Sequence, residues 1–361
     1  MKLKSRNRPY RFVRMAIFSL ICCFSSIGSS FLNAGGETQN MNDHFDGVKY
    51  HNSAEYGDKV PENRGFLKAM KWFMEKEPSI WPDYIDEKPG AAPPEKVTGD
   101  HFRVTMIGHA TLLFQIGEIN ILTDPMWSER CSPFSWIGPK RVRPPGIRFE
   151  DLPQIHLVLV SHNHYDHMDL PTLVRLEQRF HPKFVTPLGN RKFLQDEGLK
   201  DVGELDLWQS VEIDRDIVVT LVPTRHFSGR GIFDRDKTLW GGFVISTPKS
   251  DIFFAADTGY GGHFKEIGKR FNKIVLSAMP IGAYKPKWFM GPVHMSPDEA
   301  LRAHREVGSN FSIGIHYETF RLAGDSFSDP REDLERERKK LDIPEIEFTL
   351  LNFGEGRDIK H

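Results

Sequence analysis

Between residues 102 and 315 the chain repeats one pattern: a short apolar run, then a polar turn carrying Gly, Asp, Asn or Pro. Runs this short, bounded by turn residues and rich in Val, Ile and Phe, predict strands. They fall at residues 104–107, 111–116, 120–122, 156–160, 217–222, 242–246, 252–255, 274–278 and 311–315. Helical spacing marks 170–179, 190–197, 262–270, 296–307 and 330–340. Early hairpin-like strands followed by alternating strands and helices predict two mixed sheets with helices outside them. Upstream, Phe66, Leu67, Met70, Phe73 and Met74 give an amphipathic helix over 64–76. Pro78, Pro82, Pro89, Pro93 and Pro94 make the next stretch an extended connection. Residues 33–62 lack a sustained apolar period and are expected to be flexible.

The N-terminus changes the picture. Lys2, Lys4, Arg6, Arg8, Arg11 and Arg14 precede the first acidic residue, Glu37; an apolar stretch at 15–24 and small residues at 25–30 follow. That is the order of a secretory signal, so the protein is expected to be secreted or periplasmic. The alternative is a retained membrane anchor, although the apolar stretch is short for the ~20 residues a spanning helix needs. The expected organisation is a signal or anchor at 1–30, a flexible lead-in with its amphipathic helix at 31–100, and one domain at 101–361. Over the whole chain 48 basic residues balance 49 acidic ones, so the chain without those six cations is acidic. An acidic body argues against nucleic acid as a partner. Cys22 and Cys23 lie in the apolar stretch and Cys131 stands alone beyond it, which excludes an internal disulfide framework there.

Four apolar runs end close to a metal-ligand residue type: 156–160 before His162, 217–222 before His226, 252–255 before Asp257 and 311–315 before His316. Sites in layered α/β folds collect at strand ends, so these segments are expected to converge. The run Ser-His-Asn-His-Tyr-Asp-His at 161–167 is the strongest signal. In extended backbone His162 and His164 point to one side, and the turn brings Asp166 and His167 to a neighbouring point. Two pairs of ligands a few Å apart suit a two-metal hydrolase.

The H-x-H-x-D-H motif carried by His162, His164, Asp166 and His167, with His226, Asp257 and His316 following in order, resembles the signature of the metallo-β-lactamase superfamily. The resemblance implies a four-layer αββα sandwich and two Zn2+ ions. It assigns His162, His164 and His226 to one ion, and Asp166, His167 and His316 to the other, with Asp257 between them. Within the superfamily the chain resembles the phospholipases D that hydrolyse N-acylphosphatidylethanolamine. That similarity runs from about residue 66 to 322, through Gly-His-Ala-Thr at 108–111, Leu-Thr-Asp-Pro at 122–125, Gly-Pro-Lys-Arg at 138–141, Asp-Thr-Gly-Tyr at 257–260 and Ile-Gly-Ala-Tyr at 281–284. The contexts of His226 and His294 depart from the family pattern, which leaves the exact lipid open.

The resemblance implies a phospholipid or other phosphodiester as substrate, split by water into phosphatidic acid and an N-acylethanolamine, with a peripheral membrane contact. Asp166 and Asp257 are then catalytic as well as ligating. His294 is expected to donate a proton or hydrogen bond to the substrate, against a structural role at a helix start. Tyr165 and Tyr284 are expected to touch the substrate. His109 and Asp124 are expected to orient ligands through hydrogen bonds. Lys140, Arg141 and Arg143 read as a solvated, salt-bridged loop, with headgroup binding as the alternative. Competing functions are a metal-dependent lactonase or other hydrolase of the same scaffold, and a metal-stabilised binding protein without turnover.

Overall fold

The computed structural model describes residues 44–53, 71 and 79–361. The expected signal or anchor at 1–30 lies outside the described residues and, Lys71 apart, so does the helix expected at 64–76. Among the described residues no helix is long and apolar enough to cross a membrane.

The first strands are β1 His101–Gly108, β2 Thr111–Ile116, β3 Ile119–Thr123, β4 Leu157–Leu159, β5 Lys183–Pro187 and β6 Val202–Leu205. They are followed by β7 Ser210–Asp214, β8 Ile217–Val222, β9 Gly242–Ser246, β10 Asp251–Phe254, β11 Ile274–Pro280, β12 Phe311–Ile315, β13 Phe348–Thr349 and β14 Gly356–Lys360. Two seven-stranded sheets result, in the orders β14-β1-β2-β3-β4-β5-β6 and β13-β12-β11-β10-β9-β8-β7. Both are mixed: β3 to β6 run parallel in the first and β10 to β13 in the second, the other pairs being antiparallel.

The side chains explain why the strands read as unbroken apolar runs. On β2, Leu112, Phe114 and Ile116 join the core shared with the second sheet, while Leu113 joins the layer outside. Strand β4 does the same with Leu157 and Leu159 against Val158. A strand covered on both faces needs apolar residues at every position. The outer layer on the first sheet is α1 Leu170–Phe180 and α2 Arg191–Asp196, which contribute Leu173, Leu176 and Leu194. Further helices among the described residues are α3 His263–Arg270, α4 Lys287–Met290, α5 Pro297–Glu306 and α6 Asp329–Lys340. Of these, α3, α5 and α6 send Phe264, Ile267, Leu301 and Leu334 into the cluster that includes the second sheet. Helix α5 starts where the sequence places it because Ser296 and Glu299 form a capping box and Pro297 follows the cap. The architecture is the expected αββα sandwich.

All nine expected strands and the five helices expected beyond residue 169 are present, with boundary shifts of at most three residues. Strands β5, β6, β7, β13 and β14 are additional. Four of them are the outermost strands of their sheets, and β7 and β14 are exposed or half-exposed at every position. Edge strands need no continuous apolar run, so they leave little trace in the hydrophobic pattern.

The lead-in departs from the expected flexibility where it is described. Gly90 N donates to Gly146 O at 2.7 Å, Ile85 N to Val142 O at 2.6 Å, and the Trp81 indole to Asp325 O at 2.7 Å. Residues 44–53 form a small strap: His44 Nε2 lies 2.7 Å from Asp206 Oδ1, and Tyr50 N donates to Asp236 O at 2.8 Å. These contacts tie both segments to distant loops, with the carbonyls of Gly146, Val142, Asp325 and Asp236 as acceptors.

Candidate metal centre

The C-terminal ends of β1, β3, β4, β8, β10 and β12 deliver His109, Asp124, the 161–167 loop, His226, Asp257 and His316 to one edge of the sandwich. His162, His164 and His226 form one donor set, with His162 Nε2 2.8 Å and His226 Nε2 3.2 Å from His164 Nδ1. Asp166, His167 and His316 form another, with Asp166 Oδ2 3.3 Å from His167 Nε2 and 3.4 Å from His316 Nε2. Asp257 stands between them. Its Oδ2 is 3.1 Å from His167 Nε2, 3.2 Å from His316 Nε2, 3.7 Å from His226 Nε2 and 4.0 Å from His162 Nε2. Thus all seven residues expected as ligands converge.

These donors fit a divalent metal. Atoms around a tetrahedral zinc at ~2.05 Å lie about 3.3 Å apart, close to the spacings within each set. His167 Nε2, His316 Nε2 and Asp257 Oδ1 are buried without a hydrogen-bond partner, an arrangement that costs free energy unless a cation meets them. Protonation states agree in part. Burial, with the neighbouring histidines, holds His162 and His226 well below the usual histidine range. Burial pushes His164 to about 4. Burial alone would raise Asp166 and Asp257, but His167 and the surrounding imidazoles outweigh it and keep both carboxyls well below their usual range. His167 and His316 go the other way: burial disfavours their charge, yet the carboxylates, Asp257 foremost, raise them, His316 to about 9. Ionised carboxylates drawing protons onto these two rings is the electrostatics of a site that favours positive charge.

A surrounding layer aims the donors. Asp124 accepts from Ser161 N at 2.7 Å and Ser161 Oγ at 2.6 Å, and its Oδ2 lies 2.7 Å from His167 Nδ1, which turns His167 Nε2 to the centre. His226 Nδ1 is held by Val293 O at 3.0 Å and His162 Nδ1 by Ser161 Oγ at 2.9 Å. His109 Nε2 meets Asp166 Oδ2 at 3.0 Å, the orienting contact expected of it. His109, Asp124, Ala256 and His316 all have positive φ, from 35° to 61°. Strained backbone at four strand ends around one centre is the mark of a site over-determined by its surroundings. Gly282 belongs to the same economy of space: a side chain there would overlap the His316 carbonyl, which accounts for glycine in the Ile-Gly-Ala-Tyr run.

The other expected site residues are distributed differently. His294 is buried at the centre, its Nδ1 4.0 Å from Asp257 Oδ2. Tyr165 is half-buried beside the ligand loop, and its hydroxyl donates to Arg230 O at 3.0 Å. Tyr284 is buried and its hydroxyl donates to Asp333, so the structure gives it a packing contact in place of the substrate contact expected. The expected solvated cluster is also corrected. Only Lys140 is exposed, paired with Glu129 at 2.8 Å. Arg141 is buried, donates to the carbonyls of Ser128 and Met126, and lies over Phe320. Arg143 is buried between Glu318 and Glu87. Sequence reasoning missed Asn52, whose Oδ1 accepts from His226 N at 3.0 Å and whose Nδ2 donates to His226 O at 2.9 Å. No local signal marks it, because its partner is 174 residues away.

A histidine and carboxylate centre at the strand ends of an αββα sandwich is a candidate divalent-metal site. The chain belongs to the metallo-β-lactamase superfamily, and a β-lactamase superfamily domain matches residues 119–317. It is 35% identical over 282 residues to N-acyl-phosphatidylethanolamine-hydrolyzing phospholipase D 1 of Caenorhabditis elegans, covering 73% of this chain and 79% of that protein. An uncharacterised protein of Mycobacterium tuberculosis is 40% identical over 250 residues, 67% of this chain and 66% of that protein. The chain therefore spans just under two thirds of that relative. Among solved structures, isothiocyanate hydrolase from Delia radicum gut bacteria shares the fold, with a TM-score of 0.58 at 19% identity over 71% of this chain and 98% of that one.

Proposed function

We propose that the protein hydrolyses the phosphodiester of N-acylphosphatidylethanolamine-type phospholipids with two divalent ions, zinc being favoured by the largely imidazole donor set. The observation that carries the lipid reading is a cavity of about 970 Å3 beside the ligand loop, bordered by Asn163 and Tyr165 of that loop. Phe134, Met168, Pro171 and Phe193 give it apolar wall, and its charged lining is mixed: Arg130 and Arg230, which donate to the carbonyls of Gly138, Asn163 and Met168, stand with Glu129, Asp169, Glu197 and Asp234. Asp169 and Asp234 on the same wall are already engaged, the first by Trp127, Ser128 and Thr172, the second by the amides of Arg230 and Gly231. A mainly apolar cleft suits acyl chains. Phe134, Trp136, Ile232 and Phe233 are exposed on the loops that border it, which suits contact with a lipid surface. The relative from Caenorhabditis elegans, named for this hydrolysis, supports the same substrate class.

Bound divalent ions would lower the pKa of water and stabilise charge on phosphoryl oxygens. In the reaction the water oxygen bonds to phosphorus, the phosphorus bond to the ethanolamine oxygen breaks, and that oxygen takes up a proton. His162, His164, His226, Asp166, His167, His316 and Asp257 would hold the ions. His109 keeps the Asp166 carboxylate turned to the centre. His294, beside Asp257, supplies the proton to the leaving oxygen. Acyl chains in the cavity hold the diester in place, so that binding energy remote from phosphorus positions the reacting atoms.

The test compares metal-replete protein on long-chain N-acylphosphatidylethanolamine, its deacylated glycerophosphodiester and a lactone panel. The lipid should be hydrolysed with the higher kcat/KM and release N-acylethanolamine. Equal efficiency on the two diesters, or turnover confined to lactones, overturns the lipid reading and leaves the superfamily assignment intact.

A further inference from the structure

His226, like the ligands of the 161–167 loop, lies beyond its strand, in the loop from 223 to 241 between β8 and β9, and depends on contacts from other segments for its support. In extended backbone successive N–H groups face opposite sides. Arg225 pairs on one side with Gly259, whose N donates to Arg225 O at 2.9 Å. His226 faces the other side, where Asn52 meets it with both halves of its amide: Oδ1 accepts from His226 N at 3.0 Å and Nδ2 donates to His226 O at 2.9 Å. A primary amide that accepts and donates to one residue reproduces the two hydrogen bonds of an antiparallel bridge.

Asn52 is itself held by the strap. Its neighbour Tyr50 donates to Asp236 O at 2.8 Å, His51 N donates to His44 O at 2.8 Å, and His44 is fastened to Asp206 at 2.7 Å. Phe45 and Tyr50 close the strap with a bridge and rings 4.6 Å apart. Asp46 fixes its turn by accepting from Val48 N at 2.8 Å and Lys49 N at 2.7 Å. The strap thus reaches the far end of the His226 loop through Asp236 as well as the ligand itself. It also lies outside the stretch matched by the superfamily domain.

We infer that Asn52 is a positioning residue for the His162, His164 and His226 donor set, and that the strap at 44–53 completes this set from outside the matched domain. With the His226 backbone clamped by Asn52 and its Nδ1 held by Val293 O, the only freedom left to the ring is removed and Nε2 points at His164 and Asp257. Without the clamp two buried backbone groups lose their partners and the loop relaxes to recover them. The inference rests on the reading that these histidines hold a metal.

The experiment measures cobalt or zinc release to a chelator, with metal content, for the full chain, Asn52→Ala, Asn52→Asp and His44→Ala. Ser250→Ala, which loses a hydrogen bond to His361 remote from the centre, is the control for general loss of stability. Losing a contact that orients a metal ligand lowers affinity by about 10- to 100-fold. Asn52→Ala should release one class of ion about tenfold faster or more, and shift the visible spectrum of the cobalt form. Asn52→Asp, which keeps the acceptor shape but loses the donor, should do the same, and His44→Ala should follow to a smaller extent. The metal-free forms should melt within a few degrees of the full-chain parent. Parental release rates and cobalt spectra in both Asn52 variants overturn the inference while the metal reading stands. So does equal acceleration in Ser250→Ala, which would make the effect one of stability alone. A parent that binds no divalent ion overturns both.

Discussion

The turn that carries His316 is held from beneath by a buried ion pair, and neutralising it should loosen both the fold and the metal centre. Glu318 and Arg143 meet at 2.8 Å with side chains 5% and 8% exposed. Glu318 also accepts from Arg331 Nε at 2.9 Å and Nη2 at 3.2 Å, while Arg143 lies over the Phe353 ring and pairs with Glu87. Glu318→Gln keeps the shape but turns an amide donor toward a guanidinium. Removing one partner of a buried pair costs about 3–5 kcal/mol when the remaining charge is left alone. Here Glu87 still faces Arg143, and Arg331, whose side chain is 47% exposed, can turn to water, so the loss should be smaller, roughly 2–3 kcal/mol. For a domain of this size that lowers Tm by roughly 4–6 °C. The effect should reach the site: His316 and Glu318 both have positive φ, and Thr319 Oγ1 accepts from His109 N at 3.1 Å in the same turn. Melting curves with and without chelator, on Glu318→Gln, Arg143→Met and the double variant, provide the assay. Coupling between the two sites should exceed about 1 kcal/mol, since contacting residues are non-additive. Additivity within about 0.5 kcal/mol, or a Tm unchanged in Glu318→Gln, would refute the argument.

Elemental analysis of metal-replete protein should find close to two divalent ions per chain, and His167→Ala should reduce this toward one; a constant single ion contradicts two donor sets. Asp257→Asn should lower turnover by on the order of a hundredfold or more, with an unchanged circular dichroism spectrum, because a neutral amide replaces the carboxylate that faces five imidazoles; near-parental activity with full metal content would count against its central role. Acid should destabilise the protein through His304, whose ring is buried against Ser312 Oγ at 2.8 Å and which burial, with Arg305, pushes to about 4. Its pKa is lower folded than unfolded, so the stability it confers is complete above about 6.5 and is lost as pH falls through 4. His304→Gln should flatten the stability profile across that window by on the order of 2–3 kcal/mol in denaturant titrations, and an unchanged slope would show that other groups carry it.

Short-range pattern determined much of this protein. Strands buried on both faces must be continuously apolar, which made β2, β4, β8 and β12 visible, and ligands just beyond strand ends made His162, His164, Asp166, His167, Asp257 and His316 visible with them. Helix α5 is fixed locally by Ser296, Pro297 and Glu299, since a cap is a contact within one turn. Tertiary structure decided the rest, because the deciding contacts join residues far apart in the chain. Edge strands such as β7 and β14 exist through the neighbour that offers them backbone hydrogen bonds, whatever their own polarity. Arg141 and Arg143 occupy a segment that looks solvated in sequence, yet carbonyls, Glu318 and Glu87 from distant segments satisfy their charge and permit their burial. Tyr284 turned to Asp333 for the same reason, a partner brought by the fold. Asn52 is the clearest case: nothing within its own polar stretch distinguishes it from a solvated loop residue, and only the packing of the strap against the His226 loop gives its amide a backbone to hold.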